Sequence, residues 1–189
     1  MCKTLGNLIV VVLVEMANEC TINTQIAVFL IGFFIQLGLP IDEIGVKQLI
    51  EVVSEFSSAR DPDLIIHTND SVMAIDGRRE ACLFLGEPNP RVVIEIVSPG
   101  TQSSQNYKRD YERKPSEYAD RGIPEMWQID VVREWVRVGS LIDGEYQFKT
   151  YVDEDGIVSS LFSVSDLTAA QILTAGKRTM KKSQKGRNI

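Results

Sequence analysis

The stretch RVVIEIVSPGT, residues 91 to 101, decides how the chain is read. Five β-branched apolar residues surround one glutamate, Glu95, and proline and glycine close the run, as expected of an inner strand that ends at a loop. An unpartnered carboxylate inside such a strand costs several kcal/mol, on the order of 2–7 for a polar group and more for a charge, so something must compensate it. A metal ion, a cation, or exposure at the strand end would each do so. A second short run, DPDLIIH (61 to 67), has the same inner-strand character and opens on Pro62 and Asp63. Two adjacent strands would bring Asp63 and Glu95 together, and two hard carboxylate oxygens are what Mg²⁺ prefers.

Outward from these strands the pattern is mixed. Thr24 to Leu37 is apolar on nearly every side, which predicts a central helix covered on most faces. GVKQLIEVV (45 to 53) reads as a strand. The polar stretch from Gly100 to Arg121 reads as a helix ended by Gly122, with Pro115 forcing a late start or a kink near Lys114. MWQID (126 to 130), EWVRVGSLI (134 to 142) and YQFKTYV (146 to 152) read as strands, the last two joined by the hairpin turn Asp143-Gly144. After a second turn, DEDG, and IVSSLF, Ser165 is placed as the N-cap of a short helix, DLTAAQIL. The sum is an α/β (α+β) domain around one mixed sheet, spanning residues 1 to 175.

The 189 residues fit one domain, and 44% hydrophobic with 24% charged residues is an ordinary globular composition. Ile26 to Leu39 is too short to span a bilayer, so no membrane is expected. The apolar run in Met1 to Val14 is followed by Glu15, Asn18 and Glu19, a poor cleavage region for a signal peptide. Cys2, Cys20 and Cys82 form no CxxC pair, which suits a reducing cytoplasmic setting. Net charge is -6, but Lys177, Arg178, Lys181, Lys182, Lys185 and Arg187 make residues 176 to 189 a basic, disordered-type tail and leave -12 on the rest. A body that acidic repels polyanions on average, so any nucleic-acid contact must come from a local basic strip or the tail.

One such strip is Lys108, Arg109, Arg113 and Lys114, on the segment leading away from Glu95. Cations there could hold a phosphate and stabilise charge developing on it. The same residues also suit a solvated helix face with Asp110 and Glu112 as partners. SPGT lacks the nucleotide-loop pattern, DEDG lacks calcium-loop spacing, and a single histidine, His67, supports no Ser/His/Asp set; His67 is read as structural.

The ordered set DPDLIIH, RVVIEIVSPGT and YKRDYERKPSEYADRGIPEMWQID resembles the PD-(D/E)xK nuclease superfamily, and within it the Uma-two family of restriction-endonuclease-like proteins. The resemblance runs from about Glu15 to the last helix, and Val92 to Asp130 is its specific part. It implies a restriction-endonuclease-like mixed β-sheet flanked by helices, with Mg²⁺ (Mn²⁺ as a substitute) held by Asp63 and Glu95. The lysine usually found two residues after the glutamate is replaced by Val97, and Lys114, four residues before Tyr118, matches a helix lysine that takes its place. Glu15 matches one acid of a family pattern near the N-terminus and is a possible additional acid. The implied function is a Mg²⁺-dependent DNA endonuclease in which Lys114 orients the attacking water or stabilises the oxyanion and Lys108, Arg109 and Arg113 contact phosphate. Cutting both strands would call for a homodimer. The alternative is a catalytically decayed nuclease fold acting as a DNA-binding or protein-interaction module.

Overall fold

In the computed structural model, residues 21–164 and 166–176 are described. Glu15, the segment before it, Ser165 and the basic tail from Lys177 lie outside the described residues. Strands β1 (Ile44–Gly45), β4 (Leu64–Ile66), β6 (Val92–Ile96), β7 (Glu125–Asp130), β8 (Trp135–Ile142) and β9 (Glu145–Tyr151) form one sheet in the order β1-β4-β6-β7-β8-β9. Within this sheet, among the described residues, only the β6–β7 pair is parallel, and the helical segment that follows β6 makes the crossover. A small sheet, β3-β2-β5, holds β2 (Leu49–Glu51), β3 (Ala59–Arg60) and β5 (Cys82–Leu83), and helix α2 (Asn69–Ile75) lies between β4 and β5 in the chain. The mixed sheet flanked by helices expected from the sequence is therefore present.

Both faces of the main sheet are covered, which is why β6 and β7 are buried at every position. Val92, Ile94 and Ile96 pack with Trp127, Ile129, Val136 and Val138 against helix α1 (21–36) and a C-terminal helix (169–176). Alternation sends Val93 and Glu95, with Met126 and Gln128, to the other face. There helix α4 (Lys114–Arg121) lays Tyr118 over Val93, Ile65 and Met126. The β8–β9 hairpin turns on Asp143 (φ 51°) and Gly144 (φ 85°), the left-handed pair a two-residue turn requires.

Three local expectations are corrected. Helix α1 buries only the stripe Ile26, Leu30 and Phe34, while Val28 is 63% exposed and Ile35 45%, so it is a surface helix with one core face. Its reverse side is apolar without being buried, because hydropathy reports composition and the burying neighbours come from elsewhere in the chain. The run 45 to 53 is two strands in different sheets, broken where Lys47 takes φ 53°. Gly45 leaves room beside the bend for the Gln48–His67 pair, since a Cβ there would lie 2.0 Å from Gln48 Oε1 and 2.8 Å from His67 Nε2. The last helix begins at 169, and Thr168 and Gln171 bond each other's backbone amides reciprocally at its start.

His67 is fully buried at the end of β4. Its Nε2–H donates to Gln48 Oε1 at 2.6 Å and its Nδ1 accepts from the Ser71 hydroxyl at 2.9 Å, so the neutral ring is held. Burial lowers its pKa from 6.5 to about 4. The unfolded chain thus takes up a proton first, and the folded state should lose on the order of 3 kcal/mol as pH falls from about 6.5 to about 4. His67→Gln should flatten that part of the stability-versus-pH curve relative to wild type in urea titrations; parallel curves would show that His67 contributes no linkage.

Candidate active site

The site is assembled by one helical crossover. Ser104 caps α3 (Gln105–Lys108) by accepting from the Tyr107 amide at 3.2 Å, and the chain then widens into a π-turn over Arg109–Arg113 before α4. Pro115 explains the widening. A proline in an α-helix clashes with the carbonyl four residues back, and a π-turn relaxes that crowding. The Lys114 amide accordingly donates to Arg109 O, five residues back. Asp110 O is then left without a helical donor, because Lys114 is committed and Pro115 has no N–H. Gln128 of β7 supplies one, its Nε2 donating to Asp110 O at 2.6 Å. The kink anticipated near Lys114 is real, and it is pinned to the strand beside Glu95, since Glu95 and Gln128 are paired in register.

That pinning turns Asp110, Lys114 and Tyr118, spaced four apart, toward β6. Lys114 Nζ donates to Glu95 Oε2 at 2.6 Å and Tyr118 OH donates to Glu95 Oε1 at 2.7 Å. Asp110 Oδ1 lies 3.3 Å from Lys114 Nζ, and Asp110 Oδ2 accepts from the Ser98 amide at 3.1 Å. Asp63, at the head of β4, accepts from the Ile96 amide at 2.7 Å and from Asn23 Nδ2 at 3.3 Å. The fold thus brings Asp63, Glu95 and Lys114 to one end of β6.

Charge is concentrated here out of water. Burial, and then Asp63, raise the pKa of Glu95 against the pull of Lys114. Burial also raises Asp63, with the Ile96 amide and Lys114 opposing it. Lys114 is held above its ordinary value because Glu95 and Asp110 outweigh the burial that opposes its charge. Burial and the neighbouring Glu95 carboxylate push the Tyr118 phenol well above 10, so it stays a proton donor. Three carboxylates, Asp63, Glu95 and Asp110, face two cations, Lys114 and Arg109. The residual negative charge and the pair of hard oxygen donors fit a divalent cation, although among the described residues no group of three or more His, Cys, Asp or Glu is gathered around one point.

The other basic residues are not brought to Glu95. Lys108 is exposed. Arg109 donates from Nε and Nη2 to Asp110 at 2.8 and 2.9 Å, bracing the carboxylate that faces Lys114. Arg113 stacks on Phe56, its Cζ 3.7 Å from the ring centroid. Two members of the cluster went unread in the sequence. Asp110 shares the four-residue spacing of Lys114 and Tyr118, a signal that was available. Gln128 interrupts the buried strand MWQID as Glu95 interrupts VVIEIV, and the same cost argument would have flagged it.

Among solved structures, the chain is similar to the crystal structure of "a putative nuclease belonging to DUF820 from Anabaena variabilis ATCC 29413", with 15% identity, a TM-score of 0.55, and coverage of 84% of this chain and 82% of that one. This likeness concerns the fold. No curated protein matches the chain. A family profile described as "Putative restriction endonuclease" matches residues 11–171, and over that length the chain belongs to the Uma2 family.

Proposed function

We propose that the chain is a Mg²⁺-dependent DNA endonuclease that hydrolyses phosphodiester bonds. The observation carrying this reading is the buried Glu95, gripped by Lys114 and Tyr118 and set close to Asp63. Asp63 and Glu95 would hold Mg²⁺, or Mn²⁺ as a substitute, which when bound supplies Lewis-acid polarisation of the phosphate. Lys114 stabilises charge developing on the phosphoryl oxygens or orients the attacking water. Tyr118 keeps Glu95 oriented, and Asp110, braced by Arg109, keeps Lys114 charged and in place. Cleavage of both strands calls for two such sites, hence a homodimer, and the cysteine pattern suits the cytoplasm. The domain is taken as residues 1 to 175, followed by the basic tail.

A second reading, a nuclease fold retained as a DNA-binding or interaction module, is favoured by one feature. Both Glu95 oxygens already accept bonds from protein donors, so the carboxylate is satisfied without metal. Calorimetric titration separates the two. Mg²⁺ or Mn²⁺ should give a saturable binding heat with wild type and a far smaller one with Asp63→Asn, and equal heats from both would sink the metal assignment. Plasmid incubated with wild type and Mg²⁺ should be nicked, and with Glu95→Ala it should stay intact.

A further inference from the structure

From the helical crossover onto the α4 face of the sheet runs a continuous line of rings and cations. Tyr107 and Tyr111 stack with centroids 4.2 Å apart, and Tyr111 meets Trp135 edge-on at 5.6 Å. Arg137 Cζ lies 5.6 Å from the Trp135 ring and 4.4 Å from the Phe148 ring. Arg133 covers the near end, its Cζ 5.3 Å from Tyr107 and 5.5 Å from Tyr111, and donates to Gly100 O at 2.8 Å. Gly100 lies on the loop that leaves β6 after Glu95, so the strip starts near the site and ends on the β8–β9 hairpin. Register builds it: Trp135 and Arg137 alternate onto one face, and Gly139, paired with Phe148, lets that ring lie across the strand. A Cβ on Gly139 would stand 2.6 Å from the ring.

Arg137 is unlike the other arginines here. Arg109 is paired with Asp110 and Arg133 with Asp130. The half-buried Arg137 guanidinium has no carboxylate and no hydrogen-bond acceptor among the described residues, only the two rings. Burial holds its pKa below the usual arginine value. A partly desolvated cation with its N–H donors unspent is stabilised by an arriving anion. Phosphate is the anion that suits a stacked guanidinium, and flanking aromatic faces take unpaired bases, whereas bases inside a duplex are already stacked on one another.

We propose that this strip binds single-stranded nucleic acid, Arg137 taking a backbone phosphate while Trp135 and the Tyr107–Tyr111 pair stack bases. On an otherwise acidic body it gives a local route for a polyanion. The inference rests on the reading that DNA is the partner, and it does not require cleavage.

The test is fluorescence anisotropy of the full chain in EDTA, with a labelled oligothymidylate of about 12 nucleotides and a duplex of the same length, enough to cover one strand-binding surface. The single strand should bind more tightly than the duplex. It should also change the emission of Trp135, since the other tryptophan, Trp127, is 0% exposed. Arg137→Met should weaken single-strand binding by roughly tenfold or more and lower the slope of log K against log salt by about 0.7, the loss of one phosphate contact. Trp135→Leu should weaken it comparably with the slope unchanged. Lys149→Met removes the same charge from the opposite face, where Lys149 lies over Tyr151, and should change neither quantity. Wild-type affinity and slope in both Arg137→Met and Trp135→Leu, or equal affinity for duplex and single strand, would overturn the proposal. Plasmid cleavage without single-strand preference removes this inference alone; single-strand binding by a protein that never cleaves removes the nuclease reading alone.

Discussion

Lys114→Ala should lower the rate of DNA cleavage by about 10² or more, the range for losing one well-placed electrostatic stabiliser, measured as single-turnover nicking of plasmid in Mg²⁺. The surroundings of Lys114 make the expectation sharp. Its side chain is 12% exposed and it bonds Glu95 at 2.6 Å, in a strand where Val97 leaves no other nearby lysine. Removing it also leaves the buried Glu95 without its cation and takes one of two cations from Asp110, which keeps Arg109, so unfolding free energy should drop by about 3 kcal/mol. That loss should shrink as pH falls, because the carboxylates can then bind protons. Adding Glu95→Gln should recover much of the stability and none of the cleavage, which separates the chemical role from the structural one. Lys108 gives the matched comparison, being exposed on the same segment and away from Glu95. If Lys108→Ala abolished cleavage while Lys114→Ala cut normally, the cation would have to be sought elsewhere.

Glu125→Ala should lower the free energy of unfolding by about 3 kcal/mol or more, read from urea denaturation, with cleavage per folded molecule unchanged. Glu125 is fully buried at the start of β7, on the face opposite Glu95. It accepts from Trp127 Nε1 and Ser159 Oγ at 2.7 Å each and from the Ser160 amide and hydroxyl at 2.8 Å each. Alanine leaves the Trp127 indole N–H unpaired inside the protein and frees the loop at 159–160 from the sheet. A loss under about 1 kcal/mol would mean that water replaces the carboxylate and that the loop is held by other contacts.

Glu125 and Glu95 show what kind of information the chain carries locally. Both are acids in buried strands, and both belong to segments that resemble the same family. Alternation along each strand sends them to opposite faces, one into a ring of serine and tryptophan donors, the other to a lysine and a tyrosine. Strand periodicity was readable, but which donors wait on each side was not.

The sequence by itself determined the inner strands β4 and β6, the two strands of the last hairpin and its Asp-Gly turn, and the crossover helix ending at Gly122. Each depends on the conformational preferences of neighbouring residues: β-branched alternation, left-handed φ at Asp143 and Gly144, a missing Cβ at Gly122. Through the family resemblance it also offered Asp63, Glu95 and Lys114 as candidates, because motif order and four-residue spacing survive in one dimension. Only the tertiary structure decided that residues 45 to 53 divide between two sheets, that α1 buries a single stripe, and that Pro115 is accommodated by a π-turn held by Gln128. It alone joined Asp63 to the Ile96 amide, 33 residues away, and Gln128 to Asp110 O, 18 residues away. These outcomes depend on which donors meet which acceptors when distant segments pack, and local propensity carries no record of that pairing.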